Sequence, residues 1–377
     1  MERPNNVATG TQTSAMRVNA PVKQLFRPHA YVRAWSRTSS GCRANAAGLT
    51  PRSSPAVGGL RAHASTGHTQ PLADPIVEEA AAYVEMARLV NLVPSCLLVF
   101  LGAWMGSGRN LHALWLGRTW IMSAISGSIA VASCVLNDFF DYTVDVINEP
   151  NKPLPRGSVP LDGALLLSFC LYSAVLIAAC VLEPPLLRFI IAFSAGATLL
   201  YTPFLKRMTA VKNIAVAAVI ALSPVAGALA AGAASAGLHA VASPCAYLFC
   251  CIMHREILMD LNDTEGDRGS GINTLPVVLG RGAALAVALL LVVLAVGVSL
   301  HSALVGGGLS WLWALAPSWQ PWVRGACAAA VLANSLTLVN AAGRLPRSGY
   351  EKDVVKEAIE GSMAPIGLGL LLTAVAA

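Results

Sequence analysis

Charge is what this sequence has least of. Only 12% of its 377 residues are Asp, Glu, Lys or Arg, and soluble domains carry roughly twice that share. So few charges cannot cover the surface of a soluble globule of this length. With 55% apolar residues and a mean hydropathy of +0.60, most of the chain is expected to face lipid. Acids are nearly missing from the first 75 residues, where Glu2 and Asp74 stand against nine Lys and Arg between Arg3 and Arg61. Ser, Thr, Ala, Gly and Pro fill the rest, and no apolar run there is long enough to cross a bilayer. An Arg- and Ser-rich, acid-poor N-terminus reads as a disordered organelle transit peptide rather than a secretory signal, with a basic disordered tail as the alternative. Its Ser and Thr content and the lack of a clear amphipathic helix favour a plastid membrane, with the mitochondrial inner membrane as runner-up. This segment holds most of the +6 formal charge, so the charge is no sign of a nucleic-acid partner.

CxxC spacing is also missing. There are nine cysteines, and all but Cys42 sit in apolar segments. With no CxxC pair to point to a dithiol or cysteine-zinc motif, they read as buried small hydrophobes.

What the chain does have, from residue 90 onward, is a series of apolar stretches of membrane-spanning length: about 90–106, 119–137, 161–182, 186–203, 212–233, 240–258, 282–302, 322–341 and 362–377. Eight or nine spans are expected. The segment 303–320, with Trp311, Trp313 and Trp319, reads as an interfacial loop. Loops after the even-numbered spans carry Lys152, Arg156, Lys206, Arg207, Lys212, Arg268, Arg281, Arg344, Arg347, Lys352 and Lys356. The odd-numbered loops carry little beyond Arg109, Arg118, Arg188 and Arg324. By the positive-inside rule the even loops lie on the stromal or cytosolic side.

Two acidic runs sit where spans two and six end. The first is Asn137-Asp138-Phe139-Phe140-Asp141-Tyr142-Thr143-Val144-Asp145, the second Asp260-Leu261-Asn262-Asp263-Thr264-Glu265-Gly266-Asp267. In both, Asp recurs at i, i+3 and i+7, one face of a helix. Because the spans have equal parity, both clusters open to one membrane side. Polar helix caps are the bland reading, but six carboxylates beside hydrocarbon repel one another and are costly unless compensated. Mg²⁺ takes oxygen ligands and is commonly shared between carboxylates and substrate phosphates. Two such ions and a diphosphate would still leave about −5 of formal charge, so nearby cations are expected too.

These runs resemble the NDxxDxxxD and DxxDxxxD motifs of the UbiA prenyltransferase superfamily. Asn148-Glu149-Pro150-Asn151-Lys152-Pro153-Leu154-Pro155-Arg156-Gly157, Arg255-Glu256, Gly266-Asp267-Arg268 and Thr274-Leu275-Pro276-Val277 extend the likeness over about residues 85–377. The resemblance implies an all-α polytopic membrane bundle of about nine transmembrane helices, spanning 85–377 after the 1–75 targeting segment. It implies transfer of a polyprenyl group from its diphosphate to an electron-rich acceptor, with two Mg²⁺ held by Asp138, Asp141, Asp260, Asp263 and Asp267. Asn137 and Asp145 would assist, and Tyr201 and Lys206 fall where the family's fourth loop contributes a Tyr and a Lys. Lys152, Arg156 and Arg268 are further candidates for phosphate contact. Arg88 is another, or else snorkels to the interface. The implied partners are a polyprenyl diphosphate, a small-molecule or lipid acceptor and membrane lipid.

The acceptor stays open among aromatic quinone or tocopherol precursors, chlorophyllide and glycerol-phosphate lipids. Asn137 stands where homogentisate-type relatives tend to carry Gln. Asn-Asp-Phe-Phe-Asp-Tyr and Glu-Gly-Asp-Arg resemble the chlorophyll-synthase-like and glyceryl-phosphate branches, and chlorophyll synthases depart from the full DxxDxxxD retained here. A membrane terpene cyclase of the same fold and an ion-coupled transporter with repeated intramembrane acids are the alternatives.

Overall fold

In the computed structural model, which describes residues 75–308 and 317–377, the described residues form helices and their connections, with no strand among them. The targeting segment lies outside the described residues up to position 74, as do Trp311 and Trp313 of the interfacial loop. An amphipathic α1 (Pro75–Met86) leads into α2 (Leu89–Gly106), α3 (Gly117–Asn148), α4 (Leu161–Ala179), α5 (Pro185–Tyr201) and α6 (Val211–Ala230). Then come α7 (Ser235–Ser270), the short α8 (Leu275–Leu279), α9 (Arg281–Val305), α10 (Gln320–Gly343) and α11 (Lys352–Ala376). Eight of these helices are long and apolar enough to cross a membrane, and α5, at 17 residues, is a shorter ninth.

The expected spans two and six end near 137 and 258, but α3 and α7 run on through both acidic motifs, reaching 32 and 36 residues. At 1.5 Å per residue they measure about 48 and 54 Å, against about 30 Å of hydrocarbon. The motifs therefore ride on rigid helix that overshoots the apolar layer, not on loops. Asn137–Asp145 contains no Gly or Pro to stop α3, which ends only before Glu149-Pro150. α7 stops at Gly271, whose φ of 71° is the left-handed turn that closes many helices. Likewise α11 begins at Lys352 rather than near 362. Its polar first turns are helical because Val355 and Ala358 are buried against the neighbouring helices.

One apolar core joins α2 to α6 through Val99, Ile125, Ile129, Leu187, Ile191 and Leu229; a second joins α6 and α7 to α9, α10 and α11 through Leu248, Val292, Leu338 and Ile366. Helices in lipid gain little from hydrophobic exclusion of one another, so close backbone approach matters more. Between α2 and α6, Gly102 lies against the Pro224 carbonyl and Gly227 against the Val99 carbonyl, and a Cβ at either position would collide. Polar ties add to the second half. Asn334 donates to the Pro365 carbonyl at 2.8 Å, and the Ser299 and Thr373 hydroxyls meet at 2.6 Å.

The expectation of buried cysteines needs correction. Of the eight described, only Cys251 is buried, while Cys170 and Cys180 are exposed. An apolar residue on a membrane helix can face lipid as readily as the core, and hydropathy does not separate the two.

Candidate functional site

α3 and α7 are not a packed pair among the described helices, and α6 lies against both. What joins the two acidic motifs is the segment 202–213, which runs from the end of α5 into α6. Lys206, in a single turn of 3₁₀ helix (Leu205–Arg207), places its ammonium 2.7 and 2.9 Å from the two oxygens of Asp141 on α3. Thr202 donates to Asn137 Oδ1 at 3.1 Å, and Asn137 donates in turn to Asp141 at 3.0 Å. Ala210, at φ 59°, turns the chain into α6. In the first turn of α6, Lys212 forms an ion pair with Asp260 on α7, and Asn213 donates to the same carboxylate at 2.9 Å. Tyr201, half-buried at the end of α5, lies within electrostatic reach of Asp141, Glu256 and Asp260.

Other cations serve the first motif from a different direction. Arg88, at the left-handed joint between α1 and α2, reaches Asp138 at 2.6 Å. Lys152, in the loop after α3, lies 3.1 Å from Asp145, 3.4 Å from Glu149 and 3.8 Å from Asp138. Burial pulls the Lys152 ammonium down, but the hydrogen bond to Asp145 and the charges of Asp138, Asp145 and Glu149 outweigh it. Lys152 is thus held above the usual lysine value and stays charged. Beside this pair opens a cavity of about 460 Å³, lined by Arg88, Lys152, Asn137, Asp138 and Glu149 among others.

Within the two motifs, the three buried aspartates each have a cation on them. Asp138, Asp145 and Asp260 are 3%, 6% and 2% exposed, whereas Asp263 is exposed and bonded to Asn262, and Asp267 is half-buried. This distribution follows from cost. A buried carboxylate without a partner loses several kcal/mol of hydration, and each lysine or arginine offsets part of that.

Not every expected residue joins the site. Arg156 turns away to Glu85 at 2.7 Å and ties the loop after α3 to α1, because that acid lies nearer than either cluster. Arg268 is exposed on the last turn of α7 and makes no hydrogen bond or ion pair with either cluster. It lies beyond the stretch of α7 that Lys212 and Asn213 contact. Conversely, Lys212 served above only as a topological charge, although it shares a loop with Lys206. Asn213 and Thr202 carried no signal, since an isolated amide or hydroxyl in an apolar helix has no spacing to mark it. Glu256, buried one helical turn before Asp260, extends the acidic face deeper.

Among the described residues no three His, Cys, Asp or Glu side chains are gathered closely enough to hold a metal ion. The donor chemistry nevertheless fits Mg²⁺: the polar side chains of the two motifs offer hard oxygens, mainly carboxylate, and no thiol or imidazole. Lysine ammonium groups already stand as cations on Asp141 and Asp260.

A profile of the UbiA prenyltransferase family matches residues 95–336. The chain belongs to the UbiA prenyltransferase family. It is a multi-pass membrane transferase, and family membership removes the transporter alternative. Among curated relatives it is 36% identical over 222 residues to the digeranylgeranylglyceryl phosphate synthase of Natronomonas pharaonis, covering 58% of this chain and 76% of that one. It is 36% identical over 236 residues to the enzyme of the same name from Halobacterium salinarum, covering 61% and 80%. Two solved structures share the UbiA fold at lower identity. One, described as a digeranylgeranylglyceryl phosphate synthase in membranes, is 22% identical with a TM-score of 0.59, over 79% of this chain and 98% of that one. The other, a UbiA homologue from Archaeoglobus fulgidus bound to GPP and Mg²⁺, is 16% identical with a TM-score of 0.50, over 76% and 99%.

Proposed function

We propose that this UbiA-family enzyme moves a geranylgeranyl-type polyprenyl group from its diphosphate to the hydroxyl of a glycerol-phosphate lipid. The observation that carries the prenyl-transfer reading is the bridge itself: one twelve-residue segment, 202–213, puts Lys206 on the first aspartate motif and Lys212 on the second. Two acidic helix ends linked in this way form one charged rim above an apolar bundle, the arrangement a diphosphate with a hydrocarbon tail requires. The acceptor class is supported by the names of the relatives, which match over three-quarters or more of their length.

Asp138, Asp141, Asp260, Asp263 and Asp267, with Asn137 and Asp145 alongside, would hold Mg²⁺, which when bound supplies Lewis-acid neutralisation of diphosphate oxygens. Lys206 and Lys212 add positive charge where the leaving group becomes more negative, and Tyr201 closes the same wall. The allylic C–O bond breaks with its electron pair leaving on the diphosphate. The acceptor oxygen forms the new C–O bond and gives up its proton. The apolar walls keep water from capturing the allylic cation first.

The test is the full chain in liposomes with labelled geranylgeranyl diphosphate and a panel of glycerol-phosphate, phenolic and chlorophyllide acceptors. A labelled ether lipid, lost in EDTA and restored by Mg²⁺, is expected. Product on a phenol alone would overturn the acceptor, a released hydrocarbon without acceptor would favour the cyclase, and full turnover in chelator would overturn the metal. The composition of residues 1–75 supports a plastid address, and a fluorescent fusion that goes to mitochondria would overturn it.

A further inference from the structure

The cations of the rim fall into two sets. Lys206 and Lys212 come from the 202–213 segment and face Asp141 and Asp260. Arg88 and Lys152 come from the α1–α2 joint and the loop after α3, and both face Asp138. The 460 Å³ cavity belongs wholly to the second set. Its walls are the end of α1, the α1–α2 joint, α3 and the loop after α3. Cavities of this size lie within the range that receives small ligands.

A donor diphosphate and an acceptor phosphate together bring two anions to one rim. They repel each other if they share the same cations, so a second, separate set has a purpose. We propose that the Arg88–Lys152 cavity is the subsite for the acceptor's phosphate, an inference that rests on the acceptor class proposed above. The charges around it also set an order. Asp138 and Glu149 in the cavity, with Asp145 beside it, balance Arg88 and Lys152, and Glu85 on its wall is matched by Arg156. With those carboxylates free, the cavity has no net positive charge to offer. Loading of the donor site engages Asp138 and Asp145, the acids that hold Arg88 at 2.6 Å and Lys152 at 3.1 Å, and so frees both cations for the second anion. The acceptor phosphate therefore binds better to the donor-loaded protein, and by linkage it strengthens donor binding equally.

Equilibrium binding to the full chain in nanodiscs tests this, read by intrinsic tryptophan fluorescence. The probes are a short-chain alkyl glycerol phosphate, the same ether without its phosphate, and geranylgeranyl thiolodiphosphate as an unreactive donor, all with Mg²⁺. Wild type is expected to bind the phosphate ether about tenfold or more tighter than the neutral ether, the scale of one charged hydrogen bond. That preference is expected only with the donor analogue present. Lys152→Gln is expected to remove about tenfold of the phosphate-ether affinity and to change donor-analogue affinity by less than about threefold. Lys206→Gln should do the reverse, and Lys152→Arg should keep the wild-type pattern. If Lys152→Gln does not fold, Arg88→Gln gives the same contrast. Equal affinity of wild type for the two ethers, or a Lys152→Gln loss that falls on the donor analogue, would overturn the subsite. Catalytic transfer to a glycerol phosphate that is indifferent to Lys152→Gln would overturn it alone. No transfer to any glycerol phosphate by wild type would overturn the acceptor reading with it.

Discussion

Lys206 touches both oxygens of Asp141, so its charge lies where a departing diphosphate would meet the first motif. Lys206→Ala is expected to lower kcat by about 10²-fold, the usual loss for one preorganised charge donor, with little change in fold because the ion pair is partly exposed. A stopped-time assay on the liposome protein checks it. Two aspartates separate chemistry from stability. Asp263 is exposed and bonded only to its neighbour Asn262, so Asp263→Ala should remove most turnover and leave the thermal midpoint in place. Asp138 is buried against Arg88, so Asp138→Ala should remove turnover and also cost up to about 1 kcal/mol, seen as a lower midpoint. Wild-type turnover in either variant would mean the cluster does not bind the diphosphate.

At the level of elements, the site depends on where α6 stands, because α6 begins with the two residues that hold Asp260. Its position is set by the close contact with α2 at Gly102 and Gly227. Gly102→Val drives a side chain into the Pro224 carbonyl and should destabilise by roughly 1–3 kcal/mol, the range for overpacking. The same variant should weaken donor binding by moving the start of α6. Gly297 on α9 is the contrast. A Cβ there meets nothing, so Gly297→Ala should be neutral or stabilising by up to about 1 kcal/mol. Thermal unfolding in detergent distinguishes them, and equal loss in both would show that glycine position does not set the packing.

For the whole molecule, the ion pairs from the 202–213 segment require both aspartate motifs to sit at one end of the bundle. Ser158→Cys, Thr209→Cys and Ser270→Cys, each in a background without native thiols, should label from the same aqueous side of sealed vesicles. A diphosphate cannot cross the bilayer core cheaply, so its ligands converge where its headgroup lies. Labelling of Ser158→Cys and Ser270→Cys from opposite faces would divide the site in two.

Hydropathy and charge alone pointed to a multi-pass membrane protein of eight or nine spans, with the basic loops expected on one side. These are local quantities, and a bilayer demands long apolar runs and sorts basic loops to one side whatever the packing. The repeated i, i+3, i+7 aspartates were legible for the same reason, since helical spacing is written in the chain itself. Only tertiary structure decided which cation meets which acid. Lys206 and Asp141 are 65 positions apart, and Asn213 and Asp260 are 47. No pattern along the chain ties such pairs together. Arg156 was equally plausible beside the motif by sequence, yet Glu85, 71 positions before it, captures its guanidinium. Whether a charge serves the site or ties two helices together is fixed by the nearest opposite charge in space, and that is a property of how the helices pack.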